Sequence, residues 1–125
     1  MLIADDAAAS RELICAVLEG AGYRVIEAQD GAEALRRAEA ERPDLIILDI
    51  QMPLLDGFAT LKALRSDPVF HSTPVIALTA GAMRGERERA LEAGFALFIA
   101  KPVSISHLRA EVNRLLERCE AQAAD

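Results

Sequence analysis

Five short apolar segments alternate in this chain with longer segments whose apolar residues recur at helical spacing. The third apolar segment contains Leu-Ile-Ile-Leu at positions 45–48, a composition typical of a strand buried on both faces. Strands that alternate with helices favour parallel pairing, because each helix carries the chain back to the end of the sheet where the previous strand began. We therefore predict one α/β domain over residues 1–125, a length that supports one hydrophobic core.

The predicted elements form five strand–helix units. The predicted strands cover residues 2–4, 23–28, 44–50, 74–79 and 95–100. The predicted helices cover residues 10–20, 31–41, 57–66, 81–94 and a last segment with an apolar stripe from 105 to 116. Right-handed crossovers leave few arrangements, and an open sheet of this kind favours the strand order 2-1-3-4-5. The expected fold is thus a flavodoxin-like (βα)5 sandwich of three layers with a parallel five-stranded sheet.

Charge and composition argue against several classes of function. The net charge is −6, so nucleic acid is repelled overall, and we expect no direct nucleic-acid binding. No apolar run exceeds six residues, whereas a membrane span needs about 20, and no basic-then-apolar leader opens the chain. The two cysteines, Cys15 and Cys119, match neither a disulfide framework nor a zinc site. We expect a cytoplasmic domain with reduced thiols and no membrane association.

Ionisable and hydroxyl side chains stand at the ends of four predicted strands. They are Asp5 and Asp6 after the first strand, Asp49 at the third, Thr79 at the fourth and Lys101 after the fifth. In open parallel sheets, ligands bind beyond the carboxyl ends of the strands, where the strand order reverses. Strands one and three flank that point, so we expect the three carboxylates to converge there with Thr79 and Lys101 beside them.

Three carboxylates in one cleft repel one another. Either their pKa values rise or a cation binds among them and balances the negative charge. An all-oxygen site with room for water suits Mg²⁺, with Mn²⁺ as a substitute, and does not suit zinc. A lysine and a hydroxyl beside the metal can neutralise and hydrogen-bond a transferring phosphoryl group. Carboxylates are known covalent acceptors of that group. The residues therefore indicate phosphoryl transfer to an aspartate.

The polar residues at the strand ends lie in four separated blocks of the sequence: Asp5-Asp6, residues 45–57 (LIILDIQMPLLDG), residues 74–80 (PVIALTA) and Lys101-Pro102. These blocks resemble the receiver domains of bacterial two-component response regulators. They occur in the family's order, and the resemblance covers essentially the whole chain. Residues 73–116 are most similar to single-domain regulators of cell-cycle phosphorelays and to receivers fused to hybrid kinases.

The resemblance implies a metal site and a phosphoryl acceptor. It implies that Asp49 is the phospho-accepting aspartate and one of the metal ligands. Asp6 matches the residue that binds Mg²⁺ directly, and Asp5 matches the acidic neighbour that acts largely through water. The backbone carbonyl of Gln51 matches the third protein ligand of the metal.

The resemblance also implies a switch beside the acceptor. Thr79 matches the hydroxyl that moves toward the phosphoryl group, and Ala80 matches the small residue that leaves room for it. Lys101 matches the lysine that pairs with the acceptor carboxylate, and the Lys101–Pro102 bond is usually cis in this family. Phe98 matches the aromatic residue whose rotamer follows Thr79.

The implied function is that of a phosphoacceptor signalling domain rather than an enzyme with a separate substrate. The implied donor is a histidine kinase or a histidine phosphotransfer protein. The added charge changes the surface formed by the fourth helix, the fifth strand and the last helix, which a downstream protein reads. Only about one helix follows Pro102, so we expect output through that partner, with the protein a monomer or a weak homodimer.

Four alternatives remain open at the level of sequence. The chain could be a receiver that docks partners without phosphorylation, although Asp49, Thr79 and Lys101 are intact. It could also be a receiver excised from a hybrid histidine kinase. An aspartate-based phosphatase would need an acid two residues after the nucleophile, where this chain has Gln51. A flavin or nucleotide domain would need glycines after the first strand, where residues 5–10 are Asp-Asp-Ala-Ala-Ala-Ser.

Two features differ from the family pattern, and two acidic residues have an ordinary explanation. The first strand has only four residues before Asp5, and Ala7 stands where polar residues are more frequent. We expect Ala7 to loosen the water around the metal without removing a ligand. Asp30 and Asp56 are predicted to cap helices, Asp30 as part of a capping box with Glu33.

Overall fold

The computed structural model describes residues 1–52, 55–80 and 85–124, with side chains described as far as residue 117. The strands are β1 (Leu2–Ala4), β2 (Ile26–Ala28), β3 (Ile46–Asp49), β4 (Val75–Thr79) and β5 (Leu97–Ala100). The helices are α1 (Ala8–Gly20), α2 (Gly31–Glu41), α3 (Gly57–Arg65), α4 (Glu86–Ala93) and α5 (Ile105–Ala124), with a short 3₁₀ helix at Pro68–Phe70.

The sheet confirms the predicted topology. Its strand order is β2-β1-β3-β4-β5, and every neighbouring pair is parallel. The strand order reverses between β1 and β3, whose registers pair Ile3 with Ile47 and Ala4 with Leu48. The carboxyl ends of these two strands therefore stand side by side, which places a cleft where Asp5 and Asp49 leave the sheet.

Two apolar clusters fill the space on either side of the sheet, because alternate residues of each strand face opposite layers. On β1, Leu2 and Ala4 belong to the cluster that includes residues of α2, α3 and α4. Ile3 belongs to the cluster that includes residues of α1 and α5. Every residue of β3 and β4 is buried, as the continuous apolar composition of those strands predicts.

Several element boundaries differ from the predicted ones. The second strand begins at Ile26 rather than at residue 23, because β2 is an edge strand and pairs only with the three residues of β1. The fifth strand begins at Leu97 rather than at residue 95. In the described residues the fourth helix begins at Glu86, and the predicted helical positions 81–84 lie outside those residues.

Both predicted helix caps are confirmed. A side-chain oxygen of Asp30 accepts a hydrogen bond of 2.8 Å from the Glu33 N–H, and an oxygen of Asp56 accepts one of 2.8 Å from the Ala59 N–H. Each satisfies a backbone donor that lacks a partner within its helix, an interaction that contributes about 1 kcal/mol. Among the helices of the described chain, none is both long and apolar enough to cross a membrane.

Candidate functional site

Three carboxylates meet at the reversal of strand order, as the sequence predicts. Asp5 follows β1, Asp6 is its neighbour and Asp49 ends β3, and oxygen atoms of all three lie within 4.8 Å of one another. Asp5 is fully buried and Asp49 is 3% exposed, whereas Asp6 is exposed. The cluster thus has an inner side enclosed by protein and an outer side open to solvent.

The ammonium group of Lys101 lies between the two buried carboxylates. Its Nζ is 2.8 Å from Asp5 Oδ2 and 3.0 Å from Asp49 Oδ2. The Lys101 backbone is fixed by a 2.7 Å hydrogen bond from its N–H to the Thr79 carbonyl, and the bond to Pro102 is cis, as expected. Four strand ends therefore contribute to one polar site.

Each buried carboxylate also accepts a backbone hydrogen bond from two residues further along the chain. The Ala7 N–H donates to Asp5 Oδ1, and the Gln51 N–H donates to Asp49 Oδ1, both at 2.9 Å. Such local bonds are typical of aspartates that leave a strand in a tight turn. They fix one oxygen of each carboxylate and leave Oδ2 directed toward Lys101.

The pKa values of the site are shifted in opposite directions. Burial raises the pKa of Asp49 to about 6, and a hydrogen bond shared with Asp5 adds to this effect, although Gln51 and Lys101 oppose it. Burial also acts to raise the pKa of Asp5, but the nearby Lys101 ammonium and the hydrogen bond from the Ala7 N–H outweigh it, so this pKa is lowered. The two carboxylates thus compete for one proton, and Asp49 holds it more firmly.

The donor set fits a hard divalent cation. Three carboxylates face one ammonium, which leaves two negative charges uncompensated when all are ionised, and no other ion pair to these carboxylates exists within the described residues. Asp5 Oδ2 is buried and has no hydrogen bond of normal geometry despite its closeness to Lys101. An all-oxygen cluster with one open side suits Mg²⁺.

Gly57, the first residue of α3, lies directly against the backbone of Asp49 and Ile50. A Cβ atom at this position would lie 2.8 Å from the Ile50 Cα and 2.9 Å from the Asp49 carbonyl oxygen, distances too short for any side chain. The Gly57 N–H donates to the Ile50 carbonyl at 3.0 Å. From the sequence, Gly57 was expected to begin the third helix as part of a block shared with the receiver family. This contact was not predicted, because only the folded chain brings Gly57 against the backbone of Asp49 and Ile50.

The remaining predicted residues surround the cluster. Thr79 ends β4 and is fully buried, while Ala80 after it is exposed. Phe98 lies on β5 opposite Ala77 and packs, half-buried, against the cluster on the α2–α4 side. Gln51 is exposed and follows Asp49 by two residues. Thr79, Ala80 and Gln51 thus lie at the carboxyl edge of the sheet, and Phe98 lies within β5, three residues before Lys101; their individual roles stay predictions.

Comparison with known proteins places this arrangement in a family. The family model for the response regulator receiver domain matches residues 1–113. The polar-differentiation response regulator DivK of Brucella anthropi is 39% identical over 105 residues, which is 84% of this chain and 85% of that protein. The alkaline phosphatase synthesis transcriptional regulatory protein PhoP of Bacillus subtilis is 39% identical over 123 residues, or 98% of this chain and half of that protein.

A solved structure gives the same result. The signal receiver domain of a signal transduction histidine kinase from Syntrophus aciditrophicus superposes with a TM-score of 0.85 at 38% identity, covering 93% of this chain and 88% of that one. The fold and site thus define a signalling module of the α/β class. The chain belongs to the response regulator receiver family.

Proposed function

We propose that this protein accepts a phosphoryl group on Asp49, from a phosphohistidine donor and with Mg²⁺ bound. The observation that carries the proposal is the convergence of Asp5, Asp6 and Asp49 around Lys101 at the reversal of strand order. We further propose that residues 1–125 form one domain, because α5 continues to Ala124 beyond the last residue of the family match. We propose the cytoplasm as its location.

Asp5, Asp6, Asp49 and the backbone carbonyl of Gln51 are the groups that would hold the metal ion. When bound, Mg²⁺ supplies positive charge to the oxygens of the transferring phosphoryl group. Mn²⁺ has the same preference for oxygen ligands and should substitute. The uncompensated charge of the cluster and the buried Asp5 Oδ2 support this assignment.

The reaction is a displacement at phosphorus. A carboxylate oxygen of Asp49 forms the new P–O bond as the P–N bond of the donor histidine breaks. The electron pair of the P–N bond stays on the ring nitrogen, and a proton from solvent leaves the imidazole neutral. A pKa of about 6 leaves Asp49 largely ionised at neutral pH and therefore nucleophilic. Lys101, whose Nζ is 3.0 Å from Asp49 Oδ2, would neutralise the phosphoryl oxygens, and the hydroxyl of Thr79 at the end of β4 would donate to one of them.

A surface groove beside the acceptor supports docking of a donor protein. It has a volume of about 280 Å³ and is lined by Ala9, Ser10, Leu13, Ile14, Lys101, Pro102 and Val103. Leu13 on α1 is half exposed and gives this groove an apolar surface beside the charged cleft. A donor helix that covers Leu13 would bring its histidine to the open side of the cluster.

The conformational change that follows phosphorylation would reach the surface through residues of β4 and β5. Thr79 ends β4, and Phe98 lies on the adjacent strand β5 opposite Ala77, two residues before Thr79. A shift of the Thr79 hydroxyl toward a phosphoryl group would open space that Phe98 can enter. Half-buried Phe98 then changes the surface of α4, β5 and α5, where Leu91 and Ile105 are exposed for a downstream partner.

Intact-mass spectrometry after incubation with acetyl phosphate tests the proposal. The wild type should gain one phosphoryl group only when Mg²⁺ is present, and Asp49→Asn should gain none. Asp30→Asn is the matched control, because Asp30 also follows a strand at this edge but serves as a helix cap that asparagine can replace. Absence of the gain in the wild type, with acetyl phosphate and with a histidine kinase, would favour a docking module that works without phosphorylation.

A further inference from the structure

Arg11 is a largely buried arginine on α1 whose guanidinium makes two contacts at the edge of the acidic cluster. Its Nη1 donates a hydrogen bond of 2.7 Å to the carbonyl oxygen of Asp5, and its Nε donates one of 3.1 Å to Glu27 Oε1. The Arg11 side chain is only 12% exposed, whereas the Glu27 side chain is 48% exposed. Arg11 thus joins α1, the end of β1 and the edge strand β2.

The carbonyl that Arg11 binds belongs to the peptide unit between Asp5 and Asp6. A peptide unit is planar, so fixing this carbonyl also fixes the direction in which the chain enters Asp6. On the other side, the Asp5 N–H donates to the Ala28 carbonyl at 3.1 Å. The backbone of Asp5 is therefore held on both sides. Its N–H is held by the backbone of β2, and its carbonyl is held by the Arg11 side chain.

Asp6 depends on this backbone anchor for its position. Within the described residues, no side chain forms a hydrogen bond or ion pair with its exposed carboxylate. The adjacent Ala7 is the N-cap of α1 but has no side chain that can accept a hydrogen bond there. The turn from β1 into α1 is thus fixed by Asp5 Oδ1 and by Arg11.

Glu27 holds the guanidinium in the orientation that reaches Asp5. It lies on β2 opposite Ile3, and Ile3 faces the apolar cluster on the α1 side of the sheet. Paired residues of neighbouring strands point to the same face, so Glu27 stands beside α1 where Nε of Arg11 can reach it. The planar guanidinium makes the two contacts through two nitrogen atoms held at a fixed angle, which the single nitrogen of a lysine ammonium cannot reproduce.

We propose that Arg11, oriented by Glu27, is a positioning residue that fixes the Asp5–Asp6 peptide and so prepares the acidic pair for the divalent cation. This inference rests on the metal site of the proposed function. A positioning role and a purely electrostatic role of Arg11 predict opposite changes in cation affinity when Arg11 is replaced. Removing a positive charge near an acidic cluster should tighten cation binding, whereas losing the anchor should weaken it.

Titration with Mn²⁺, followed by the electron paramagnetic resonance signal of the free ion, tests the inference without any phosphodonor. We expect Arg11→Gln to bind Mn²⁺ about tenfold more weakly than the wild type, in the range typical of residues that orient metal ligands. Arg11→Lys keeps the charge and should still bind more weakly, because it loses the paired contacts. Glu27→Gln keeps an acceptor for Nε and should restore most of the affinity that Glu27→Ala loses.

Arg114→Gln is the matched control, because Arg114 also pairs with a glutamate but does so on the exposed face of α5. Circular dichroism of the metal-free variants verifies that they are folded, and Arg11→Lys carries the test if Arg11→Gln does not fold. Affinity in Arg11→Lys and Arg11→Gln equal to or tighter than that of the wild type overturns the positioning role alone. A wild type that binds no Mn²⁺ overturns the metal site itself, and the positioning role with it.

Discussion

Lys101 donates a hydrogen bond of 3.0 Å to Oδ2 of Asp49, a residue 52 positions earlier in the chain. The contact joins the end of β5 to the end of β3, although β4 lies between these strands in the sheet. Only a long, flexible side chain can cross that distance, and burial of both groups strengthens their attraction. The same ammonium group reaches Asp5, so one cation holds two buried carboxylates in place.

Replacing the Lys101 ammonium group should destabilise the metal-free protein. Lys101→Met keeps the length of the side chain but leaves two buried carboxylates without a charged partner, so we expect the free energy of unfolding to fall by about 3 kcal/mol at neutral pH with a chelator present. Mg²⁺ should recover part of the loss. Urea denaturation measures both effects. Lys62→Met, on the exposed side of α3, is the control. Equal stability of the two variants would contradict the expectation.

Neutralising Asp49 should stabilise the metal-free protein at neutral pH. The pKa of Asp49 is raised from 3.8 to about 6 in the fold, chiefly by burial. Its contribution to stability is therefore fully present below pH 3.8 and is lost as the pH rises through 6. We expect Asp49→Asn to be more stable than the wild type by roughly 2 kcal/mol at pH 7, with the difference shrinking toward pH 4.

Urea denaturation across this pH range, in the presence of a chelator, measures the Asp49 effect. Asp5, whose pKa is lowered, contributes stability that is lost as the pH falls, which is the opposite direction to the contribution of Asp49. Asp44→Asn is the control, because Asp44 is 70% exposed. A difference that grows on acidification would show that the sign of the Asp49 shift is wrong.

Replacing Asp6 should abolish the response to Mg²⁺ and leave the metal-free protein nearly unchanged. The Asp6 side chain is exposed and lies within 4.8 Å of the other two carboxylates. A ligand present at ten times its dissociation constant stabilises the folded state by about 1.4 kcal/mol. Thermal unfolding should therefore show an increase in Tm with Mg²⁺ for the wild type and none for Asp6→Asn. An undiminished increase in the variant would place the metal elsewhere.

Gly31 should tolerate no side chain. A Cβ atom there would lie 2.3 Å from Thr60 Oγ1 and 2.5 Å from the Leu55 carbonyl oxygen, which belong to α3 and the loop before it. Thr60 is fully buried and its hydroxyl donates to the Asp56 carbonyl, so it cannot move aside easily. We expect Gly31→Ala to lose about 2 kcal/mol, as is typical of overpacking.

Gly20, the last residue of α1, provides the comparison for Gly31. A Cβ atom at Gly20 would meet nothing within 4 Å. Gly20→Ala should therefore leave stability unchanged or raise it by up to about 1 kcal/mol, because alanine favours the helix. Denaturation midpoints of the two variants measure the contrast. Similar midpoints would mean that α2 can move away from α3 without cost.

Much of the fold could be predicted because its signals are local. The buried strand at 46–49 follows from an uninterrupted apolar run, and Asp30 was recognisable as a cap from the glutamate three residues later. The start of β2 was not predictable in the same way. Tyr23 and Val25 have strand-like composition, but β1 is too short to pair with them and they pack against the apolar cluster instead.

The sequence alone determined the strand order and the set of residues at the carboxyl edge, because periodicity and right-handed crossovers leave few ways to arrange alternating strands and helices. Only the tertiary structure decided the distances between those residues, their burial and their pKa shifts. The opposite pKa shifts of Asp5 and Asp49, the reach of Lys101 and the anchoring of Asp5 by Arg11 depend on burial and on distances of a few ångströms between remote segments. Such distances are set by packing, which no local pattern of residues encodes.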